Sequence, residues 1–205
     1  MPIDHIIKTL GFLAHESPYS RDIILQQKGL ERVLEVVTNN GCPVQRALKT
    51  IGSFLGGVPP PTLRPSLEVI KFVFDCLNST SASENQLLKT TFEAIEIICD
   101  TPEGARQLIE LKIGNRLIDL LADPAVSEDS MDILLNVMIW VGEDPCFEDF
   151  EMIKERVFPR LFGLAQQTNR QLARQAIKVI SNICCGPAEM VMVKLKVGNP
   201  RIREP

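Results

Sequence analysis

Aromatic residues make up only 5% of this sequence, which has a single tryptophan, Trp140, and a single tyrosine, Tyr19. A core with so few rings must be built from aliphatic contacts, and a 45% share of hydrophobic residues supplies them. No apolar run approaches the ~18 residues needed to cross a bilayer. The opening MPIDHIIKTLGF has no basic stretch ahead of an apolar one, so a signal peptide is not supported either and an intracellular protein is expected. Histidine is scarce: His5 and His15 stand ten residues apart with no Cys, Asp or Glu at ligand spacing, which leaves no basis for a metal site. The six cysteines, Cys42, Cys76, Cys99, Cys146, Cys184 and Cys185, form no CxxC pair. Most stand among aliphatic neighbours and read as reduced thiols packed as small hydrophobes. A basic surplus is missing too: the net charge is −4 and the pI near 5.3, which argues against an autonomous nucleic-acid module. There is no G-x-S-x-G, P-loop, dinucleotide fingerprint or Cys/His nucleophile arrangement. The adjacent Cys184 and Cys185 would diverge by ~100° on a helix. Neither an enzyme nor a cofactor is expected.

What is present is periodicity. Apolar residues recur at three- and four-residue spacing, as at Ile6, Leu10, Leu13 and again at Ala173, Ala176, Ile177, Ile180, the stripe of a packed helix. Stops fall at Ser17-Pro18, Asn40-Gly41, Gly56-Gly57 with Pro59-Pro60-Pro61, Thr101-Pro102, Gly142 and Gly186-Pro187. The segments IGSFLGG, IEIICDT, VMIWVG and ISNICCG close a long helix with one shared apolar pattern. With Phe12, Ser53, Ile97, Met138 and Asn182 taken as equivalent, the spacings are 41, 44, 41 and 44 residues, the period of armadillo and HEAT arrays. Each unit reads as a short helix such as Ala105 to Lys112, a Gly turn, a second helix such as Arg116 to Leu121, and a long third helix. Three helices per unit favour armadillo over HEAT.

The expected fold is therefore all-α: a right-handed armadillo-repeat solenoid of about five three-helix repeats, the terminal ones incomplete, in a single domain over residues 1–205. The sequence starts inside a third helix, at Pro2 to Ala14, and stops at Asn199 to Pro205, where a further helix would begin. Solenoid ends expose apolar faces, so either this is a piece of a longer protein or another element covers them. A homo- or hetero-oligomer through such ends is one outcome.

Three segments resemble importin-α: Leu161 to Gly186, including Ile180-Ser181-Asn182-Ile183; Arg116 to Asp144; and Ser53 to Leu77, whose Pro triplet after a third helix is peculiar to one importin-α repeat. On that register the chain is similar to roughly the second to sixth of the family's ten repeats. The Arg/Lys-rich importin-β-binding arm and the later repeats have no counterpart in it. The resemblance implies a concave groove lined by third helices, in which recurring Trp and Asn residues four apart hold a lysine-rich nuclear localisation signal. Here the Trp positions hold Lys8, Lys49, Glu93, Leu134 and Lys178, and the Asn positions hold Phe12, Ser53, Ile97, Met138 and Asn182. Only Asn182 matches. Trp140, two residues beyond an Asn position, would point ~200° away, toward core or edge packing.

One turn earlier sit Asp4, Gln45, Lys89, Ser130 and Arg174. Counted with them, the groove carries five basic residues (Lys8, Lys49, Lys89, Arg174, Lys178) against two acids (Asp4, Glu93). Converging cations raise the local potential, so an acidic or apolar-acidic protein segment is the favoured partner, against the alternative that these are merely solvated helix positions. A second cluster, Glu143, Asp144, Glu148, Asp149 and Glu151, reads first as helix N-terminal charge and second as a patch for a basic partner. Three functions compete: a scaffold or adaptor with its own partner, a working nuclear-import adaptor, and a structural oligomerisation module. The resemblance implies residence in the nucleus, the cytoplasm or both.

Overall fold

The computed structural model describes residues 3–142 and 145–184. Every regular element among them is a helix: α1 (Ile3–Glu16), α2 (Pro18–Gln26), α3 (Gly29–Asn40), α4 (Val44–Leu55), α5 (Leu67–Ser79), α6 (Asn85–Cys99), α7 (Pro102–Glu110), α8 (Ile113–Ala122), α9 (Glu128–Trp140), α10 (Phe150–Met152), α11 (Phe158–Ala165) and α12 (Arg170–Cys184). A 3-10 turn at Pro145–Glu148 precedes α10, and a π-helical turn at Ile153–Val157 joins α10 to α11. The expected break at Gly186-Pro187, the segment from Asn199 and Cys185 lie outside the described residues.

The boundaries follow local chemistry. Before α2, the Ser17 hydroxyl accepts the Ser20 N–H at 3.1 Å and Pro18 fills the first helical position, where its missing N–H costs nothing. Thr101 and Pro102 repeat that start at α7, with Gly104 N–H as donor at 3.1 Å. Ser127 opens α9 in the same manner. Gly41, with φ of 62°, closes α3 in the left-handed conformation that glycine adopts without strain.

At the short-helix junctions the sequence reading needs one correction. The left-handed residue between α7 and α8 is Lys112, at φ 60°, and not a glycine; Lys28 does the same between α2 and α3, at φ 54°. Gly114 is buried inside α8. Gly29 opens α3 because a Cβ there would come within 2.2 Å of Ile24 Cγ2 and 2.8 Å of Ile24 O. Glycine at this junction serves helix packing, while lysine makes the turn.

The chain forms two compact units, Met1–Leu111 and Lys112–Pro205. In the first, α1 packs on α4 and α4 on α6, while α2, α3, α5 and α7 form the supporting row behind them. Helix α4 shows why: Ala47, Leu48, Ile51, Phe54 and Leu55, spaced for one helical face, are all buried. Ile7, Val33, Val37 and Ala47 join α1, α3 and α4 in one cluster, with Phe72 of α5 against it. In the second unit α9 packs along α12, with α8 and α11 behind.

Between Leu55 and Leu67 no helix forms; the loop carrying Pro59-Pro60-Pro61 takes its place. It is anchored by Arg21 of α2, which is 1% exposed. Its Nη1 donates to Gly56 O at 3.0 Å and Pro59 O at 2.9 Å, and its Nε pairs with Asp22 at 3.0 Å. Thr62 donates in turn to Asp22 at 3.4 Å. The pairing with Asp22 and the two carbonyls that accept from Nη1 offset most of the cost of taking the guanidinium out of water, while Nη2 is buried without a hydrogen-bond partner.

Candidate functional site

The exposed stripes of the long third helices are where a ligand could be met, and each unit presents its own. In the first unit a trough of about 380 Å³ runs between α1 and α4. Lys8, Phe12 and His15 form one wall, Lys49 and Ser53 the other. Its floor is the close approach of Gly11 to Thr50, whose hydroxyl donates to Ile7 O at 3.3 Å; a Cβ at Gly11 would lie 3.0 Å from that hydroxyl. Four of the expected groove residues, Lys8, Phe12, Lys49 and Ser53, thus share one concavity, and Phe12 is 62% exposed.

At one end of this trough Arg46 pairs with Asp4, cancelling the acid that α1 contributes. Among the described residues neither Lys8 nor Lys49 has a carboxylate within ion-pairing distance. On α6, Lys89, Glu93 and Ile97 are half-buried. Ile97 lies over Gly52 of α4 and Gly56 just after it: a Cβ at either would sit 3.6 Å from its Cδ1. Gln45 donates to Thr90 at 3.4 Å, so that position cross-links α4 to α6.

In the second unit the expected groove positions are exposed on α12 and buried on α9. Arg174, Lys178 and Asn182 are exposed, and Asn182 Nδ2 donates to Ile139 O of α9 at 3.3 Å. Leu134 and Met138, expected to line the groove, are 0% and 1% exposed, and Ser130, one turn earlier, is 0% exposed. They cannot touch a ligand. The stripe that α9 leaves open runs instead through Asp132 and Asn136 to Trp140, at four-residue steps of one helix face. Trp140 is 50% exposed on that stripe, not core. Because Met138 points inward, the ~200° separation of Trp140 from it turns the ring outward. Gln171 Nε2 donates to Asp132 Oδ2 at 2.5 Å, and Asn169 to Glu128 at 3.0 Å, fixing α12 beside this stripe. The clue in the sequence was the i, i+4 series Asp132, Asn136, Trp140 set against the apolar series Met131, Leu134, Leu135, Met138.

Of the acidic cluster, Glu143 and Asp144 lie outside the described residues. Asp149 accepts the Met152 N–H at 3.1 Å and Glu151 pairs with Lys154 at 3.7 Å, the roles of helix N-terminal carboxylates. Cys42, Cys76 and Cys99 are free thiols. Burial, with Asp75 beside one and Asp100 beside the other, pushes Cys76 and Cys99 up to about 12. Among the described residues no group of three or more His, Cys, Asp or Glu could hold a metal, and no helix is long and apolar enough to cross a membrane.

No family model matches the chain. Among curated proteins it is similar to importin subunit alpha-1a of Oryza sativa subsp. japonica, 22% identical over 190 residues, covering 89% of this chain and 35% of that one. It is also similar to importin subunit alpha-1b of the same organism, 24% identical over 175 residues, with coverages of 82% and 31%. The chain spans about a third of the length of these relatives. Among solved structures, a designed armadillo repeat protein in complex with the peptide (KR)4 superposes with a TM-score of 0.68 at 17% identity, over 94% of this chain and 80% of that one. A computationally designed armadillo repeat protein for modular peptide recognition matches with the same TM-score, 0.68, at 17% identity and the same coverages, 94% and 80%. The fold is that of armadillo-repeat proteins, and the importin-α likeness read from the Pro triplet and the Leu161–Gly186 segment holds as a distant one.

Proposed function

We propose that this chain is a non-enzymatic armadillo scaffold or adaptor, acting as one domain, that holds a segment of a partner protein on the exposed stripes of its third helices. The partner is acidic or apolar-acidic rather than a lysine-rich nuclear localisation signal. One observation carries this reading: the trough between α1 and α4 has Lys8 and Lys49 uncompensated on its walls, where they repel cationic side chains and attract carboxylates. In the second unit, Arg174 and Lys178 give the exposed face of α12 the same sign. The likeness to importin-α subunits favours residence in the nucleus, the cytoplasm or both.

Two other readings each rest on a particular feature. A nuclear-import adaptor is favoured by Trp140, Asn136 and Asn182, which give the second unit one exposed ring and two amides. An oligomerisation module is favoured by an apolar hollow of about 400 Å³ among Ile6, Leu10, Ile23, Ile24 and Val36. Fluorescence anisotropy with two labelled peptides of equal length, one acidic-apolar and one lysine-rich, separates the readings. Capture of the acidic one supports the scaffold; capture of the lysine-rich one makes the chain an import adaptor. Binding of neither, with a mass above that of the monomer, points to oligomerisation.

A further inference from the structure

The α1/α4 trough has two levels along its length, and their chemistry differs. At the first, Lys8 faces the trough from α1 and Lys49 from α4, at equivalent positions of two neighbouring third helices. At the second, one helical turn on, stand Phe12 and Ser53. Arg46 is occupied with Asp4, so the first level holds two uncompensated cations and no free acid. The second holds an aromatic ring that is 62% exposed, with His15 beyond it on the same wall and no carboxylate among the lining residues.

The spacing of the levels selects a pattern. Four residues of α-helix advance ~6 Å along the axis. In an extended chain, side chains two apart share a face and lie ~6.6 Å apart. A segment lying along α1 therefore sets one side chain against the lysines and the next on its own face against the ring. The floor is shallow because Gly11 lets α4 approach α1 at Thr50, so the segment rides on these side chains rather than sinking between the helices.

Resting on the scaffold reading above, we propose that the α1/α4 trough recognises an extended partner segment with an acidic residue two positions from an aromatic or long aliphatic one. The carboxylate sits between the Lys8 and Lys49 ammonium groups, and the apolar side chain stacks on Phe12. The carboxylate supplies direction and charge selection, while the ring contact supplies apolar area.

The test is an amide NMR titration of the full chain with capped 12-residue Gly/Ser peptides centred on Glu-Ser-Phe, Glu-Ser-Ser-Phe or Lys-Ser-Phe. The expected result is that Glu-Ser-Phe shifts the amides of α1 and α4 around Lys8, Phe12, Lys49 and Ser53, more tightly than the other two. The paired substitution Lys8→Glu and Lys49→Glu should weaken it about tenfold, two exposed charge contacts at a few-fold each, and should bring Lys-Ser-Phe into the trough. Phe12→Ala should weaken it by a similar factor. All three side chains are exposed, so folding is not at risk. Binding of Glu-Ser-Phe that maps to other helices, or that is indifferent to these substitutions, overturns this inference and leaves the scaffold standing. Binding of Lys-Ser-Phe to the unmodified trough overturns its sign. No shift with any of these peptides, while a longer acidic-apolar peptide still binds in anisotropy, overturns the two-level pattern alone. No binding by either method removes the scaffold reading with it.

Discussion

Replacing Arg21 by methionine keeps most of the buried stem volume and deletes the guanidinium. The structure sets the magnitude. Gly56 O and Pro59 O each lose a charge-assisted donor, at 3.0 and 2.9 Å, and Asp22 loses its partner at 3.0 Å. Hydrogen bonds to charged groups contribute about 1.5–3 kcal/mol each, and stripping a buried pair of one partner costs about 3–5 kcal/mol. Arg21→Met should therefore lower the unfolding free energy by about 3–5 kcal/mol and free the 56–66 loop from α2. Urea unfolding followed by circular dichroism measures the first effect. Hydrogen exchange of the Gly56 amide, which donates to Gly52 O at 2.8 Å, and limited proteolysis in the loop measure the second. Asp22→Asn, which leaves both carbonyl contacts in place but strips the buried guanidinium of its counter-charge, should cost about 3 kcal/mol. A loss below about 1 kcal/mol for Arg21→Met, with the loop still protected, would refute the anchoring role.

Other consequences follow from burial and packing. Leu134→Ala should cost about 2–5 kcal/mol and Trp140→Ala less than about 0.5 kcal/mol in the same unfolding assay, and the reverse order would restore the groove register first expected for α9. Gly104→Ala drives a Cβ to 2.1 Å from the backbone oxygen of Ile98 and should destabilise by about 1–3 kcal/mol. Gly163→Ala meets nothing within 4 Å on an exposed helix face and should stabilise by about 0.5–1 kcal/mol; thermal melts of the two variants would show opposite signs. Cys76 and Cys99 hold their protons up to about 12 when folded, against 9.0 for an ordinary thiol. The unfolded chain therefore releases protons first, and the contribution of these thiols to stability is complete below pH 9 and lost as pH rises from 9 toward 12. Alkylation at pH 8 should accordingly spare both until the chain unfolds, which mass mapping of the labelled sites would reveal.

Much of this architecture is written locally. Ser17-Pro18 and Thr101-Pro102 start helices through one hydroxyl and one ring, and Gly41 ends one, so these boundaries could be read without any distant contact. The repeat was legible because each third helix must bury the same face. What escaped depends on the third dimension. Lys28 and Lys112 adopt a left-handed backbone that no lysine advertises. Arg21 looks like a surface residue until its acceptors, 35 and 38 residues away, close over it. The register of α9 slipped because equivalence by spacing put Leu134 and Met138 where other third helices carry lysine, phenylalanine or serine. Their apolar character was the sign that the equivalent positions on α9 lie two residues further on, where Asp132 and Asn136 are half-buried and Trp140 is exposed. On α1 and α4, Lys8, Phe12, Lys49 and Ser53 line one trough, because neighbouring helices there present matching exposed positions.

The most direct test of the scaffold reading is a competition in one tube: the full chain, a fluorescent acidic-apolar peptide, and unlabelled lysine-rich and acidic-apolar competitors at low and moderate salt. Displacement by the acidic-apolar competitor alone, with affinity falling as salt rises, is the predicted result. Displacement by the lysine-rich peptide would contradict it and make this chain a reader of nuclear localisation signals.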